Sequence, residues 1–188
     1  MKHIIYMIIL LGIVYSCSTP PTPKPRGYFR IGFPEKEYSL TPDALPYQFY
    51  RPNYSIIEPY NDPHTGPYDI TIRIPENKAD IHLSYKQIKG NLAAYTEESR
   101  KLAYNHTIKA SSIQERLYVN NDQKVFGTIY HIKGNAASPM QFYLTDSAKH
   151  FLRGALYIRE VPNYDSLQPV IKFIEQDIVK MIETTQWK

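Results

Sequence analysis

The chain has a single cysteine, Cys17, among its 188 residues. A lone thiol cannot close an internal disulfide, so the fold must be held by packing even in an oxidising compartment. Glycine is sparse, and no glycine-rich phosphate loop, Gly-x-Ser-x-Gly elbow or Ser-x-x-Lys with companion motifs is present. Past the first residues, the histidines are His64, His82, His106, His131 and His150. No two of them have the i, i+4 or short-loop spacing that metal ligation uses, so neither a metal nor a cofactor is expected. The net charge is only +4 and no long basic run occurs, which removes the case for nucleic acid. Long apolar runs are also missing, with one exception at the start.

That exception covers residues 4–14, preceded by Lys2 and His3 and followed by Tyr15-Ser16-Cys17. A basic start, an apolar stretch and a small residue at the break are the marks of a secretory signal. About twelve apolar residues make a helix of roughly 18 Å, short of the roughly 20 residues a bilayer core requires. A cysteine directly after Ser16 is the pattern of a bacterial lipoprotein signal, in which the thiol is acylated and becomes the first mature residue. Val14 and Ser16 fit a relaxed lipobox, although Tyr15 is bulkier than usual there. The plainer alternative is a signal that happens to contain a cysteine. Against it, the only thiol of the chain stands at the expected place and a proline-rich spacer follows at once. The expected organisation is a signal peptide at 1–16, a lipidated Cys17 with a tether over 17–27, and one domain from 28 to 188. Four prolines between 20 and 25 favour an extended polyproline II tether.

The remainder reads as an ordinary globular chain, 43% hydrophobic and 21% charged. Tyr68 to Ile74 alternates with period two, and Tyr47-Gln48-Phe49-Tyr50 is a second aromatic strand candidate. Ile81, Leu83 and Tyr85 share one face of a strand over 79–86. A helix is expected over 91–105, with Leu92, Tyr95, Ser99, Leu102 and His106 as its stripe. Strands at 113–119, 124–132, 140–144 and 151–158 are separated by turn-sized gaps, which favours a meander. The last helix carries Leu167, Val170, Ile171, Ile174, Ile178 and Ile182, with Asp165 or Ser166 as its cap. The pattern predicts an α+β domain, an antiparallel sheet of six or seven strands with two main helices. Its element order is similar to that of the small PsbP/Mog1-type sandwich.

Two stretches attract a chemical reading. Gly134-Asn135-Ala136-Ala137-Ser138-Pro139 could aim backbone amides at a ligand, but a tight strand connector explains it better. Asp146, Ser147 and His150 contain the residue types of a hydrolytic triad; a turn is the simpler explanation, and no catalytic residue is expected. The 17 tyrosines could stack on sugars at a rim, though most suit strands and core.

Several segments together resemble the gliding-motility lipoprotein GldD family of Bacteroidetes. They are Lys24 to Tyr28, His82 to Lys86, Ala103-Tyr104, His106 to Ala110, Gly134 to Pro139, Gln141-Phe142, Leu144 to Ser147, Lys149 to Tyr157, and Trp187-Lys188. The resemblance implies a lipid-anchored envelope protein required for gliding and for the linked type IX secretion machinery, whose components would be its partners. It carries over no catalytic residue. It also implies that Leu45 and Tyr68, where many members have cysteines, are neighbours. Asp146-Ser147-Ala148 and Asp165-Ser166-Leu167 match a loose O-glycan acceptor of that phylum at Ser147 and Ser166, a pattern short enough to arise by chance. The residues after Cys17 lack an acidic export run, so the domain is expected to face the periplasm, with the outer membrane favoured over the inner. The competing readings are a glycan- or peptidoglycan-binding module and, behind it, an envelope hydrolase.

Overall fold

Seven strands hydrogen-bond into one antiparallel sheet in the computed structural model, which describes residues 31–60 and 65–188. The signal, Cys17, the tether and His64 lie outside the described residues. In chain order the strands of this sheet are β4 (Ile56–Pro59), β5 (Ile70–Ile74), β6 (Ala79–Gln87), β7 (Ala110–Asn120), β8 (Val125–Gly134), β9 (Met140–Thr145) and β10 (His150–Ile158). Their spatial order is β4-β5-β6-β10-β9-β8-β7. The run from β7 to β10 is therefore the expected meander, and β10 closes it by pairing along the whole length of β6.

Alternation along these strands sorts the residues into two faces. One face carries Ile72, Ile81, Leu83, Ile129, Met140, Phe142, Leu144, Leu152 and Leu156, all buried under α2 (Tyr164–Glu183). The helix contributes Val170, Ile174, Ile178, Met181 and Ile182 to this core. Gly154 is what lets the Phe142 ring lie flat across β10. A Cβ at Gly154 would stand 2.2 Å from Phe142 Cζ, so no larger residue fits beneath the ring. The opposite face is covered in part by α1 (Leu92–Tyr104), with Tyr95 against Phe151 and Ala103 against Tyr130 and Ile132. The domain is an α+β sandwich with one helix on each side of the sheet.

Four short strands close the α2 side. β1 (Tyr38–Leu40) pairs with β3 (Tyr50–Pro52), and β2 (Tyr47–Gln48) pairs with β11 (Gln186–Trp187). The aromatic run at 47–50 is therefore two strands. It splits at Phe49, whose backbone turns to Thr41 while its ring enters the core.

Other expectations shift by a residue or a face. The expected helix stripe holds at Tyr95 and at Ser99, which is buried, but Ala103 is buried in place of Leu102, which is exposed. His106 falls in a 3₁₀ turn, Asn105–Ile108, just past the helix. The cap of α2 is neither Asp165 nor Ser166. Asn163 accepts from the Ser166 backbone N–H at 3.4 Å, and Asn135 accepts from that of Tyr164 at 2.9 Å. Helix α2 begins ahead of the expected caps because Asn163, following Pro162, offers an acceptor in extended backbone. Among the described residues no helix is long and apolar enough to cross a membrane.

Candidate functional site

The residues with the composition of a triad occupy the β9–β10 turn and do not converge. Asp146 Oδ1 accepts the backbone N–H groups of Ala148, Lys149 and His150 at 2.8–2.9 Å. Burial alone would push its carboxyl up, but these three donors together hold it below the usual range. Ser147 is exposed, with φ +67°, and its own N–H is bonded to Thr145 Oγ1. His150 turns away, sharing a hydrogen bond of 2.8 Å with the Tyr85 hydroxyl and stacking on Trp187. The turn is thus built by Asp146 and has no nucleophile–base pair. Residues 134–139 are likewise a connector: Ile132 N–H donates to the Pro139 carbonyl at 2.8 Å, and Ser138 is buried beneath. Ser166 is exposed in the first turn of α2.

Leu45 and Tyr68 lie on segments that meet. Leu45 packs at the edge of the main core, and Tyr47 donates its hydroxyl to the Tyr68 carbonyl at 2.9 Å. The Tyr68 ring meets Tyr85 edge-on.

A buried acid that pattern reading passed over stands in the middle of α2. Asp177 has no exposed surface. Its Oδ1 accepts from Lys36 Nζ at 2.6 Å and from the Tyr38 hydroxyl at 2.9 Å, and Oδ2 accepts from the Tyr54 hydroxyl. Lys36 also donates to the Phe173 carbonyl and lies 3.8 Å over the Phe173 ring. The Tyr38 and Tyr54 phenols are pushed up, first by burial and then by their bonds to this carboxylate. The cluster joins the entering chain, β1 and the turn after β3 to α2, and its members satisfy one another. It is a structural latch.

Open polar chemistry lies on the face beside α1. Tyr60, His82, Ser84, Arg153, Ala155 and Tyr157 line a recess of about 340 Å³. Strand register places it, because Ala155 pairs with His82 and Arg153 with Ser84. His82 Nδ1 is 2.9 Å from Thr71 Oγ1, and its ring lies between those of Tyr60 and Tyr157 at 4.6 and 5.3 Å. Arg153 donates from Nη2 to Gln141 Oε1 at 2.6 Å. A larger concavity, about 760 Å³, runs between β7–β8 and the first half of α2, with Arg116, His131, Lys133, Lys172 and Glu175 on its walls. There His131 pairs with Glu175 at 3.4 Å. His82, His131 and His150 therefore occupy separate environments, and among the described residues no three His, Cys, Asp or Glu side chains converge as a metal site would need.

Burial lowers His82, His106 and His150 below the ordinary value of 6.5; Arg153 adds to the effect at His106, whereas Asp80 opposes it at His82 and Asp146 at His150. The folded state thus favours the neutral rings. As pH falls through 6.5 the unfolded chain takes up protons first, so stability is lost down to the depressed folded values. Thermal melts from pH 7.5 to 5 should show a falling midpoint, reduced in a variant with all three changed to glutamine. A midpoint that rises towards pH 5 would contradict this.

The architecture defines the class: a small PsbP-like α+β sandwich. Cyanobacterial PsbP (CyanoP) of Synechocystis sp. PCC 6803, solved in solution, superposes with a TM-score of 0.52 over 85% of this chain and 98% of its own, at 11% identity. At that identity the likeness is one of fold. The chain belongs to the gliding motility lipoprotein GldD family, whose model matches residues 18–187. It is accordingly a lipoprotein of the cell envelope, associated with gliding motility and anchored to a membrane. No curated protein matches the sequence at a significant level.

Proposed function

We propose that this chain is a non-enzymatic accessory or assembly factor of the gliding apparatus and the linked type IX secretion machinery, held by acyl chains on Cys17 and facing the periplasm, with the outer membrane as its favoured site. The observation that carries the reading is the family match across nearly all of the chain beyond the signal. The absence of a nucleophile–base pair at Asp146, Ser147 and His150 agrees with it. So does the outer strand β7, which leaves Leu117 and Val119 78% and 62% exposed on an open sheet edge, a surface suited to protein contact. The function is then one of position and contact.

Crosslinking in intact cells, followed by mass spectrometry of the material purified with the lipoprotein, tests this reading. Gliding or secretion components should be recovered, and their recovery should drop when Leu117 is changed to glutamate. Recovery of envelope glycan alone would replace the proposal with a glycan-binding role.

A further inference from the structure

The recess beside α1 holds a charge that the fold does not use. Arg153 is mostly buried, and burial depresses its guanidinium below the ordinary value. A cation in such a place is normally paired with a carboxylate. Here its single hydrogen-bond partner among the described residues is the neutral Gln141 amide, and the amide nitrogen of Gln141 is itself buried without a partner. The acid whose field reaches Arg153 from α1, Glu98, is engaged by Lys86 at 3.3 Å. One guanidinium bond is used, so donors remain for a ligand.

The surroundings narrow the ligand. One cation, flanked by Glu98 and by a His82 held neutral, suits a singly charged carboxylate rather than a phosphate dianion, which collects several cations or a helix N-terminus. Tyr60 and Tyr157 line the recess with rings that also pack on His82, and Ser84 and His82 supply groups for hydroxyls. Among the described residues the nearby carboxylates are already taken, Glu98 by Lys86 and Asp80 by Arg73 and Arg159, which disfavours a free amino acid with its ammonium. The volume, about 340 Å³, is at the lower end of small-molecule sites. We propose that this recess binds a carboxylate-bearing sugar, with Arg153 on the carboxylate and Tyr60 and Tyr157 against the pyranose ring. Such an acid could come from the cell wall or from a surface polysaccharide; the chemistry recognised is the same.

Calorimetric titration of the mature lipidated chain in detergent micelles distinguishes the sources. N-acetylmuramic acid and glucuronic acid are the probes, with N-acetylglucosamine and glucose as their neutral counterparts. At least one acid should bind tenfold or more tightly than its counterpart, and the stronger acid names the source. Arg153→Lys keeps a cation but loses the fork, and Tyr157→Leu keeps the cation but loses a wall; each should weaken the acid tenfold. Lys172→Gln, in the other concavity, should leave it unchanged. The site is overturned if neither acid exceeds its neutral counterpart, if both recess variants bind as the parent does, or if an N-acetylated dipeptide binds more tightly than either sugar acid. These outcomes are independent of whether the chain crosslinks to secretion components.

Discussion

Replacing Asp177 with alanine should cost about 3 kcal/mol or more of unfolding free energy, out of a margin of about 5–15 kcal/mol for a domain. The change strips a half-buried ammonium and two half-buried phenols of their shared, fully buried acceptor, near where the chain first joins the fold. Lys36 keeps 24% side-chain exposure and can turn partly towards water, which puts the cost at the lower end for a broken buried pair. Asp177→Asn should cost less, because the amide oxygen still accepts from a tyrosine. Adding Lys36→Met to Asp177→Ala should recover part of the loss by removing the stranded cation. Urea denaturation reads all three. A loss under about 1 kcal/mol for Asp177→Ala, as for an ordinary surface change, would show that the latch is not structural.

Cys17→Ala should have the opposite profile, with the largest effect on function and none on the fold. Acyl labelling should fall from complete to undetectable. Two or three chains, each contributing about 0.8 kcal/mol per buried methylene, make a stable anchor, and among the described residues no helix is long and apolar enough to replace it. The protein should leave the membrane fraction and gliding should stop. The melting midpoint should match the parent, because the compact unit runs from Ile31 to Lys188 and does not include the cysteine. Persistent acyl label in the variant would place the lipid elsewhere.

The strands legible in the sequence are those whose alternation is sustained. β6, β8, β9 and β10 bury every second residue under α2, and that pattern survives within a residue or two at each end. The short strands β1, β2, β3 and β11 carry two or three residues each, too few to show a period. They exist because partners outside any local pattern supply their hydrogen bonds, β3 for β1 and, from the far end of the chain, Trp187 for Tyr47. The spacing that marks helix α1 gives its extent and the inward positions Tyr95 and Ser99, but not Ala103, which, being smaller than Leu102, is what fits against Tyr130. Asp177 left a visible trace: it interrupts the apolar stripe between Ile174 and Ile178, at a position that faces inward. Arg153 left none. Its isolation depends on which side chains three strands and a helix bring near it, and no local pattern encodes that.

The latch at Asp177 also ties the N-terminal end of the described fold to its longest helix. Tension applied through the N-terminal side would enter the described fold at Ile31. From there it passes to Phe33, stacked on Phe173 at 4.3 Å, to the Lys36–Asp177 pair, and to β1 against β3. All of these are fastened to α2 or to strands beside it. Such tension would fall on the longest helix and the main core, and the sheet face holding the recess would lie outside its path.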